Sequence, residues 1–514
     1  MSFLRAAVTV ATGTLLSRIM GFIRDILIAA MLGAGPLADA FFAGFRLPNL
    51  FRRLFAEGAF NSAFVPLFAG SLARDGEAAA RRFAEEALSV LILILLLLTI
   101  AAEICMPWLM FLLVPGFADN PEQFDNAVLF GRIMFPYLLF VSLVALYGGI
   151  LNSMLHFAAA ALTPVLFNGI LIIALSLCIP VFGWPGEILS IAVSVAGVAQ
   201  FLMLALVLNR AGMRLSLPWP RLTPKVKRLL ALTGPGAVSG GIAQINLFIG
   251  TIIASLHAGA VSYLYYADRL YQLPLSVVGT AIGVALLPDL SRRLRAGDEA
   301  GALWSQNRAM EFGLLLSMPA ALGLLILPLQ IVDVLFTRGA FTADDARATA
   351  WAVAGFAIGL PAYVLIKILS PAFFSREDTL TPLKYAGAGV IVNIALSVGL
   401  FFWIGFVSIA IATSIAAWLN TLLLWTHLAR HGHLQLDDMS ARRIPMIFLS
   451  TAGFGLILWG GAWLLEPWLR AEAGFAGMIA LAALVAGGVA VFAGLCHLSG
   501  AAKLGELRVS LRRS

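Results

Sequence analysis

Residues 87–102 read ALSVLILILLLLTIAA, a run without a single charged side chain. A helix rises about 1.5 Å per residue, so about 20 such residues cross the ~30 Å hydrocarbon core of a bilayer. Similar runs recur along all 514 residues, of which 61% are hydrophobic and only 12% are charged. Soluble domains are nearer half apolar and a quarter charged. The composition therefore excludes a soluble enzyme and intrinsic disorder, and it indicates an all-α polytopic membrane protein.

The apolar runs predict fourteen transmembrane helices, with no gap long enough for an inserted soluble domain. They cover residues 6–32, 38–70, 83–114, 126–152, 158–182, 187–209, 229–256, 260–288, 309–336, 346–374, 382–403, 406–429, 444–466 and 474–499. Arg5 precedes the first run, as in a signal peptide. The run continues past Ser17 and Arg18 without a clean small-residue cleavage site, so we expect it to be retained as a span.

The distribution of Lys and Arg predicts the orientation of these helices. If the N-terminus is cytoplasmic, the inward loops and both tails hold 23 Lys or Arg residues and the outward loops hold 3. We therefore expect both termini in the cytoplasm and an even number of spans. The net charge of +7 is then explained mostly by topology, and it gives no argument for nucleic-acid binding.

No metal or cofactor is predicted from the Cys and His residues. Cys105, Cys178 and Cys496 each lie within an apolar run and form no CxxC pair, which is typical of small membrane-buried side chains. Three histidines between residues 427 and 433 have a spacing that could bind a metal. They lie at a predicted cytoplasmic helix end, where positive charge is favoured in any case, so a metal site is the weaker interpretation.

The sequence contains a weak internal duplication. Residues 65–78 and 287–300 each begin with an aliphatic-Pro pair and end with a Glu-Ala pair, and Thr-Pro pairs follow at 163 and 381. These matches predict two six-helix copies, in residues 1–221 and 222–436. Two further helices lie in residues 437–514. Because six is even, both copies have the same orientation, as in parallel-repeat transporters, which place their site between two lobes. A purely structural helical bundle is the alternative.

Charged residues inside the predicted helices are the strongest functional signal. Eight of the 34 basic residues lie within spans, and five of these are in the first two helices. The five are Arg18, Arg24, Arg46, Arg52 and Arg53, accompanied by the acids Asp25, Asp39 and Glu57. A charge at the bilayer centre costs about 2.5–3.5 kcal/mol on insertion scales. Each of these groups must therefore face water, protein or another charge.

The spacing of the charges in the second helix predicts a polar stripe. On a helical wheel Asp39, Arg46, Arg53 and Glu57 fall within about 40° of one another. The stripe extends ~27 Å at 1.5 Å per residue, close to the full membrane depth. Pro48 removes a backbone hydrogen bond and is expected to kink the helix beside it.

Internal ion pairs would explain some of these charges, notably Arg18 with Asp25, but five cations meet only three anions. We interpret the cationic excess as an anion site, because the planar guanidinium binds phosphate through two parallel hydrogen bonds. Arg132 and Lys367 are isolated in their helices. We interpret these two as snorkelling or paired residues outside the site.

Several motifs resemble those of a known family. Residues 17–25 (SRIMGFIRD), 45–53 (FRLPNLFRR), 265–270 (YYADRL) and 374–379 (FSREDT) closely resemble the lipid II flippase family of the MurJ/MviN type. The resemblance covers essentially the whole chain. It implies the fold of the multidrug/oligosaccharidyl-lipid/polysaccharide exporter superfamily, with two six-helix lobes around a central cationic cavity. The two extra C-terminal helices would then form a groove for a polyprenyl tail.

The resemblance also implies a substrate and its site. The substrate would be lipid II, the undecaprenyl-pyrophosphate-linked disaccharide pentapeptide, carried by alternating access from the inner to the outer leaflet of the bacterial inner membrane. Family members are thought to bind the pyrophosphate with arginines of helices 1, 2 and 8. The matching arginines and the acids beside them are Arg18, Arg24, Arg52, Arg53 and Arg269, with Asp25, Asp39 and Glu57. Other cell-wall synthesis proteins are further candidate partners.

Two alternatives remain open from the residues alone. Export of another polyprenyl-linked oligosaccharide would need the same anion site. A polyprenyl-phosphate transferase would need paired acids for a metal or a substantial loop domain, and the intramembrane acids here are scattered and outnumbered by arginine. In some members of the family that the sequence resembles, carboxylates of helices 7, 11 and 12 bind Na⁺. Residues 229–256 and 385–430 contain no Asp or Glu, so a Na⁺ site is not expected.

Overall fold

The computed structural model describes residues 3–52, 60–469 and 474–502, and helices account for nearly all of them. The α-helices of these residues are, in chain order, α1 (Phe3–Leu32), α2 (Pro36–Phe51), α3 (Phe60–Asp75), α4 (Glu77–Leu113), α5 (Pro121–Met134), α6 (Tyr137–Ser153), α7 (Phe157–Ile173), α8 (Ile179–Phe182), α9 (Pro185–Arg210), α10 (Pro224–Ser255), α11 (Ala260–Arg295), α12 (Glu299–Ile326), α13 (Pro328–Phe336), α14 (Ala343–Ala357), α15 (Leu360–Phe374), α16 (Leu380–Ile404), α17 (Val407–Arg430), α18 (Asp438–Leu464) and α19 (Gly474–Leu498).

Within the described residues, 10 helical stretches are long and apolar enough to cross a membrane. This confirms a multi-spanning helical protein. The predicted count of fourteen spans stays a prediction, because α1, α2 with α3, α10 and α11 are not among these ten. The second predicted helix is described as two pieces, α2 and α3, and residues 53–59 between them lie outside the described part.

Prolines divide three helices that the sequence analysis treated as continuous. The fourth predicted helix forms α5 and α6, which meet at Pro136. The ninth forms α12 and α13, which begins at Pro328, and the tenth forms α14 and α15, which begins one residue before Pro361. Proline has no N–H to donate to the carbonyl four residues earlier, so the helical ladder is interrupted there. The apolar pattern of the sequence does not indicate these interruptions.

The fifth predicted helix is also irregular. Its first part is α7, its last part is α8, and residues Ala174–Cys178 between them form a π-helical turn. Pro180 lies two residues after the end of this turn and cannot donate to the carbonyl of Ser176, which is the local reason for the wider winding.

The chain divides into two compact units, Met1–Ser262 and Tyr263–Ser514. In the first unit, α1 packs on α7, α2 on α5, and α6 on α9. Phe64 stacks on Phe60, Phe68 and Phe83, with ring centroids 5.4, 5.7 and 5.6 Å away, and the contact with Phe83 joins α3 to α4. Helix α10 packs on α3 and α4. It therefore belongs to the first compact unit, although the predicted duplication assigns it to the second copy, and the predicted repeat boundaries stay a prediction.

A close backbone approach fixes the far end of α10. The backbone N–H of Gly116, in the short 3₁₀ turn Pro115–Asp119, donates to the Ser255 hydroxyl at 3.1 Å. A Cβ atom at position 116 would lie 2.2 Å from the Ser255 carbonyl oxygen. Only glycine fits at this contact without moving one backbone away from the other.

In the second unit, α12 packs on α15 and α18, α16 on α17, and α18 on α19. A polar network joins α12 to the start of α18. Arg308 donates to both carboxylate oxygens of Asp437, at 2.7 and 2.6 Å, and to Glu311 at 2.9 Å. Glu311 also accepts from the Ser440 hydroxyl at 2.7 Å and from Arg443 at 3.3 Å. These contacts attach the last two helices to the rest of the unit.

Asp437 has a second role as the N-cap of α18, because its side chain accepts the backbone N–H of Ser440 at 2.7 Å. Partial burial acts to raise the pKa of Asp437. The hydrogen bonds from Ser440 and the charge of Arg308 outweigh burial and hold the pKa below its ordinary value. A carboxyl with a lowered pKa stabilises the fold above its ordinary pKa and loses that contribution as the pH falls through the folded-state pKa.

We expect Asp437→Ala to destabilise the protein by about 1–2 kcal/mol, because it removes a helix cap and the partner of Arg308. Thermal unfolding of the purified protein, followed by the loss of its monodisperse peak in size-exclusion chromatography, measures the change. Asp438→Ala is the matched control, since Asp438 is exposed in the first turn of the same helix. Equal losses in both variants would contradict a role for the network.

Candidate anion-binding site

Arg24 of α1 is held by three neighbours in the first unit. Its Nη2 and Nε atoms donate to Asp25 Oδ1 at 2.7 and 3.1 Å, and its Nη1 donates to Asn168 Oδ1 at 2.8 Å. The guanidinium carbon lies 5.9 Å from the ring centroid of Phe167, within reach of a cation–π contact. The Arg24 side chain is 12% exposed and that of Asp25 is 3% exposed. The guanidinium is thus fixed in place and largely removed from solvent.

Asn168 is the functional candidate that sequence reasoning missed. It lies on α7, which packs along α1, and its side chain is buried. Its amide donates to the Ser17 carbonyl at 3.0 Å while its oxygen accepts from Arg24. One side chain therefore links two turns of α1 and sets the orientation of the guanidinium. The available signal was an amide within the apolar sequence of α7, where a buried polar group needs a partner.

Arg18 and Arg52 are placed differently from Arg24. Arg18 lies six residues before Arg24 on the same helix, and its side chain is exposed. Arg52 caps the C-terminal end of α2, and its Nε donates to Asn49 Oδ1 at 3.1 Å. The predicted site residues Arg53 and Glu57 lie outside the described residues. The structure thus brings Arg24 and Asp25 into direct contact, with Arg18 on the same helix and Arg52 at the end of the next one.

Asp39 occupies a position that the helical wheel did not anticipate. It is fully buried in the first unit, where its oxygens accept the backbone N–H groups of Gly259 and Ser262, each at 2.8 Å, and the Ser262 hydroxyl at 2.5 Å. These donors belong to the first turn of α11 and the residue before it. Asp39 therefore caps the N-terminus of α11 from another helix, a position favourable for a carboxylate.

Arg46 likewise contacts protein. Its Nη1 donates to the Thr251 hydroxyl and, at 3.3 Å, to the Leu247 carbonyl, both on α10. Arg46 is thus occupied by the last turns of α10, and Asp39 by the start of α11. The wheel correctly places them on one face of α2, but it cannot say that a neighbouring helix end covers that face.

In the second unit, the guanidinium carbon of Arg269 lies 4.7 Å from the ring centroid of Tyr265, one turn earlier on α11. At this distance the ring supports the guanidinium through a cation–π contact. The adjacent Asp268 accepts a hydrogen bond from the Gln272 side chain. Arg269 is partly buried.

The residues set aside by the sequence analysis have diverse surroundings. Arg132 is exposed and donates to the Glu103 carbonyl at 3.2 Å, consistent with a paired surface residue. His427 stacks on His431 with centroids 4.3 Å apart, and its Nδ1 lies 2.9 Å from the Tyr385 hydroxyl. Among the described residues, no group of three or more His, Cys, Asp or Glu side chains is arranged to hold a metal ion.

The chemistry of this arrangement is that of anion recognition. A guanidinium whose orientation is set by an amide and a carboxylate keeps its shape when a ligand arrives, so little conformational freedom is lost on binding. Arg24 is oriented in this way by hydrogen bonds, and Arg269 by an aromatic ring. The parallel N–H groups of a guanidinium match the spacing of the oxygens of a phosphate or pyrophosphate.

Comparison with known proteins agrees with these features. A family model described as lipid II flippase MurJ matches residues 28–474. A protein of Rhizobium tropici named probable lipid II flippase MurJ is 46% identical over 522 residues, covering 100% of this chain and 97% of that protein.

Solved structures show the same fold. A lipid II flippase MurJ in an inward closed conformation matches with a TM-score of 0.78 at 24% identity, covering 96% of this chain and 98% of that one. An inward-facing multidrug resistance MATE family transporter of the MOP superfamily matches with a TM-score of 0.69 at 13% identity, covering 83% and 98%. From the family match over most of its length and the identity to its relatives, the chain belongs to the lipid II flippase MurJ family.

Proposed function

We propose that this chain is a lipid II flippase that carries the undecaprenyl-pyrophosphate-linked disaccharide pentapeptide from the inner to the outer leaflet of the bacterial inner membrane by alternating access. Membership of the flippase family supports the substrate, and the 23 to 3 distribution of loop cations supports cytoplasmic termini. The observation that carries the proposal is the guanidinium of Arg24, held within an apolar helix by Asp25 and Asn168.

The pyrophosphate is the part of the substrate that needs such a group. We assign its binding to Arg18, Arg24, Arg52 and Arg269, with Asp25 as the residue that orients Arg24. Arg53 and Glu57 remain candidates from the sequence alone. Asp39 we assign to holding the N-terminus of α11, because protein donors occupy both of its oxygens.

A groove in the second unit supports the expected role of the C-terminal helices. A cavity of about 440 Å³ is lined almost entirely by apolar side chains of α12, α13, α18 and α19, among them Phe312, Leu324, Phe454 and Phe492. An isoprenoid tail requires such a surface, since it offers no polar group to bind. We propose that residues 437–514, together with α12 and α13, receive the undecaprenyl chain.

A carrier of another polyprenyl-linked oligosaccharide is the alternative. It would use the same arginines and the same groove, so only the headgroup distinguishes it from a lipid II flippase. A flippase forms and breaks no covalent bond, in contrast to a polyprenyl-phosphate transferase. Recovery of chemically unchanged lipid II after transport separates these functions.

We expect Arg24→Ala, Arg52→Ala and Arg269→Ala each to abolish growth of cells depleted of their own flippase, while the protein still accumulates in the membrane. The reason is loss of a charge-assisted contact to the pyrophosphate. Arg24→Lys should also fail to support growth, because an ammonium keeps the positive charge but cannot donate two parallel hydrogen bonds to one phosphate.

The matched control is Arg347→Ala. Arg347 pairs with Asp344 at 2.9 Å, but the two side chains are 66% and 85% exposed, so this ion pair contributes little. Normal growth is expected with this variant. Growth supported by all three site variants would remove the argument for an anion site.

We expect Asn168→Leu, which is similar in size but has no polar group, to lower flipping about tenfold, because the Arg24 guanidinium loses the acceptor that orients it. Thr163→Val is the control on the same helix, since Thr163 is also buried and the hydroxyl that the substitution removes donates within α7, to the Ala160 carbonyl. Transport of labelled lipid II, normalised to the amount of membrane protein, measures both. Equal activity of the two variants would show that Asn168 has no positioning role.

A further inference from the structure

A second, more polar cavity lies within the second unit, separate from the apolar groove. Its volume is about 310 Å³, at the small end of the range for ligand pockets. It is bounded by α11, α14, α15 and α17. Its polar lining consists of Asp268, Gln272, Ser276, Tyr363, Lys367 and Thr413.

Three of these residues form one row along α11. Asp268, Gln272 and Ser276 are spaced by four residues, which places them on one helix face, and the Gln272 amide donates to the Asp268 carboxylate. The row presents a carboxylate, an amide and a hydroxyl to the same cavity. The amide fixes the direction of the carboxylate.

The opposite wall is provided by α15. The Lys367 side chain lies across the backbone of α11 at Gly279, where an added Cβ atom would come within 2.6 Å of Lys367 Cδ. Glycine at this position therefore makes room for the lysine stem. Tyr271 stacks on Phe356 at 5.5 Å and meets Tyr363 edge-on at 5.8 Å, so an aromatic cluster makes this part of the lining rigid.

A cavity lined by both a carboxylate and an ammonium suits a ligand that carries both charges. Each ionised side chain is expensive at membrane depth, and such residues usually mark a pathway or a binding site. The arginines of the candidate anion site offer only hydrogen-bond donors and positive charge. This cavity offers a carboxylate that accepts and an ammonium that donates, together with amide and hydroxyl groups.

We propose that this cavity binds the peptide portion of the transported precursor, a proposal that rests on the proposed flippase function. The peptide is the part of the substrate that carries both carboxylates and a free amine, whereas the two sugars lack such a pair. Lys367 receives a peptide carboxylate, and Asp268 receives the amine. Gln272 and Thr413 bind amide groups of the peptide backbone. From the sequence alone, Lys367 is interpreted as an isolated cation outside the anion site.

The competing explanation is an internal polar contact that only holds α11 against α15. The two explanations differ in what removal of the peptide does. A purely structural contact affects all ligands equally, while a peptide subsite affects only ligands that have a peptide.

The test measures binding to the purified full chain in nanodiscs with three probes. They are intact lipid II, its undecaprenyl-pyrophosphate disaccharide without the peptide, and undecaprenyl phosphate. Wild-type protein should bind intact lipid II at least about tenfold more tightly than the peptide-free probe, because the polar groups of the cavity lose their partners when the peptide is absent. Undecaprenyl phosphate should bind more weakly than both.

The variant carries Asp268→Asn and Lys367→Met together. It should bind intact lipid II about tenfold more weakly than wild type and should no longer distinguish it from the peptide-free probe. The matched control carries Asp344→Asn and Arg347→Met, which removes an exposed acid–base pair from the same unit and should retain full discrimination.

Equal wild-type affinities for the two pyrophosphate probes would overturn the peptide subsite while leaving the flippase proposal intact. So would a variant that weakens both probes by the same factor. Failure of wild-type protein to prefer intact lipid II over undecaprenyl phosphate would instead overturn the proposed function, and the subsite with it. The wild-type comparison decides the question even if the double variant does not fold.

Discussion

The cost of placing a charge in a bilayer is the constraint on which the rest of this structure depends. Three charged groups of the first two helices have specific partners: Arg24 contacts Asp25 and Asn168, Arg46 contacts α10, and Asp39 contacts the first turn of α11. These charged side chains therefore make specific contacts and do not serve only to keep the protein soluble. Some hold helices together, and Arg24 and Arg269 are among the arginines that we propose bind a ligand of the opposite charge.

Burial distinguishes a structural charge from one that we propose for ligand binding. Both oxygens of Asp39 are taken by backbone and hydroxyl donors, and the residue is fully buried, so nothing is left for a substrate. Arg24 contacts one carboxylate and one amide, and its side chain is 12% exposed, so part of its surface remains accessible.

Much of this could be predicted from the sequence, because lipid leaves only helices as spanning elements and makes intramembrane charges conspicuous. Apolar runs located the helices, charge counting selected Arg24, and the family resemblance added Arg269. The sequence does not show which residues of other helices each charged side chain contacts. A wheel places Asp39 and Arg46 on one face without revealing that the α10–α11 segment covers it. Asn168 carries no charge and was not noticed. The apolar pattern of the sequence also continues across Pro136, Pro328 and Pro361, although the backbone hydrogen bonds of the helices are interrupted there.

The central claim is that an oriented arginine site in this chain moves lipid II between leaflets without altering it. The most direct measurement reconstitutes the purified chain in liposomes with labelled lipid II in one leaflet. Exposure to a membrane-impermeant reagent on the other side is then followed with time. The account predicts protein-dependent transfer of chemically intact lipid II, and transfer no faster than in protein-free liposomes when Arg24 is replaced by alanine. Transfer by the Arg24→Ala protein at the wild-type rate, or conversion of the lipid to another compound, would contradict it.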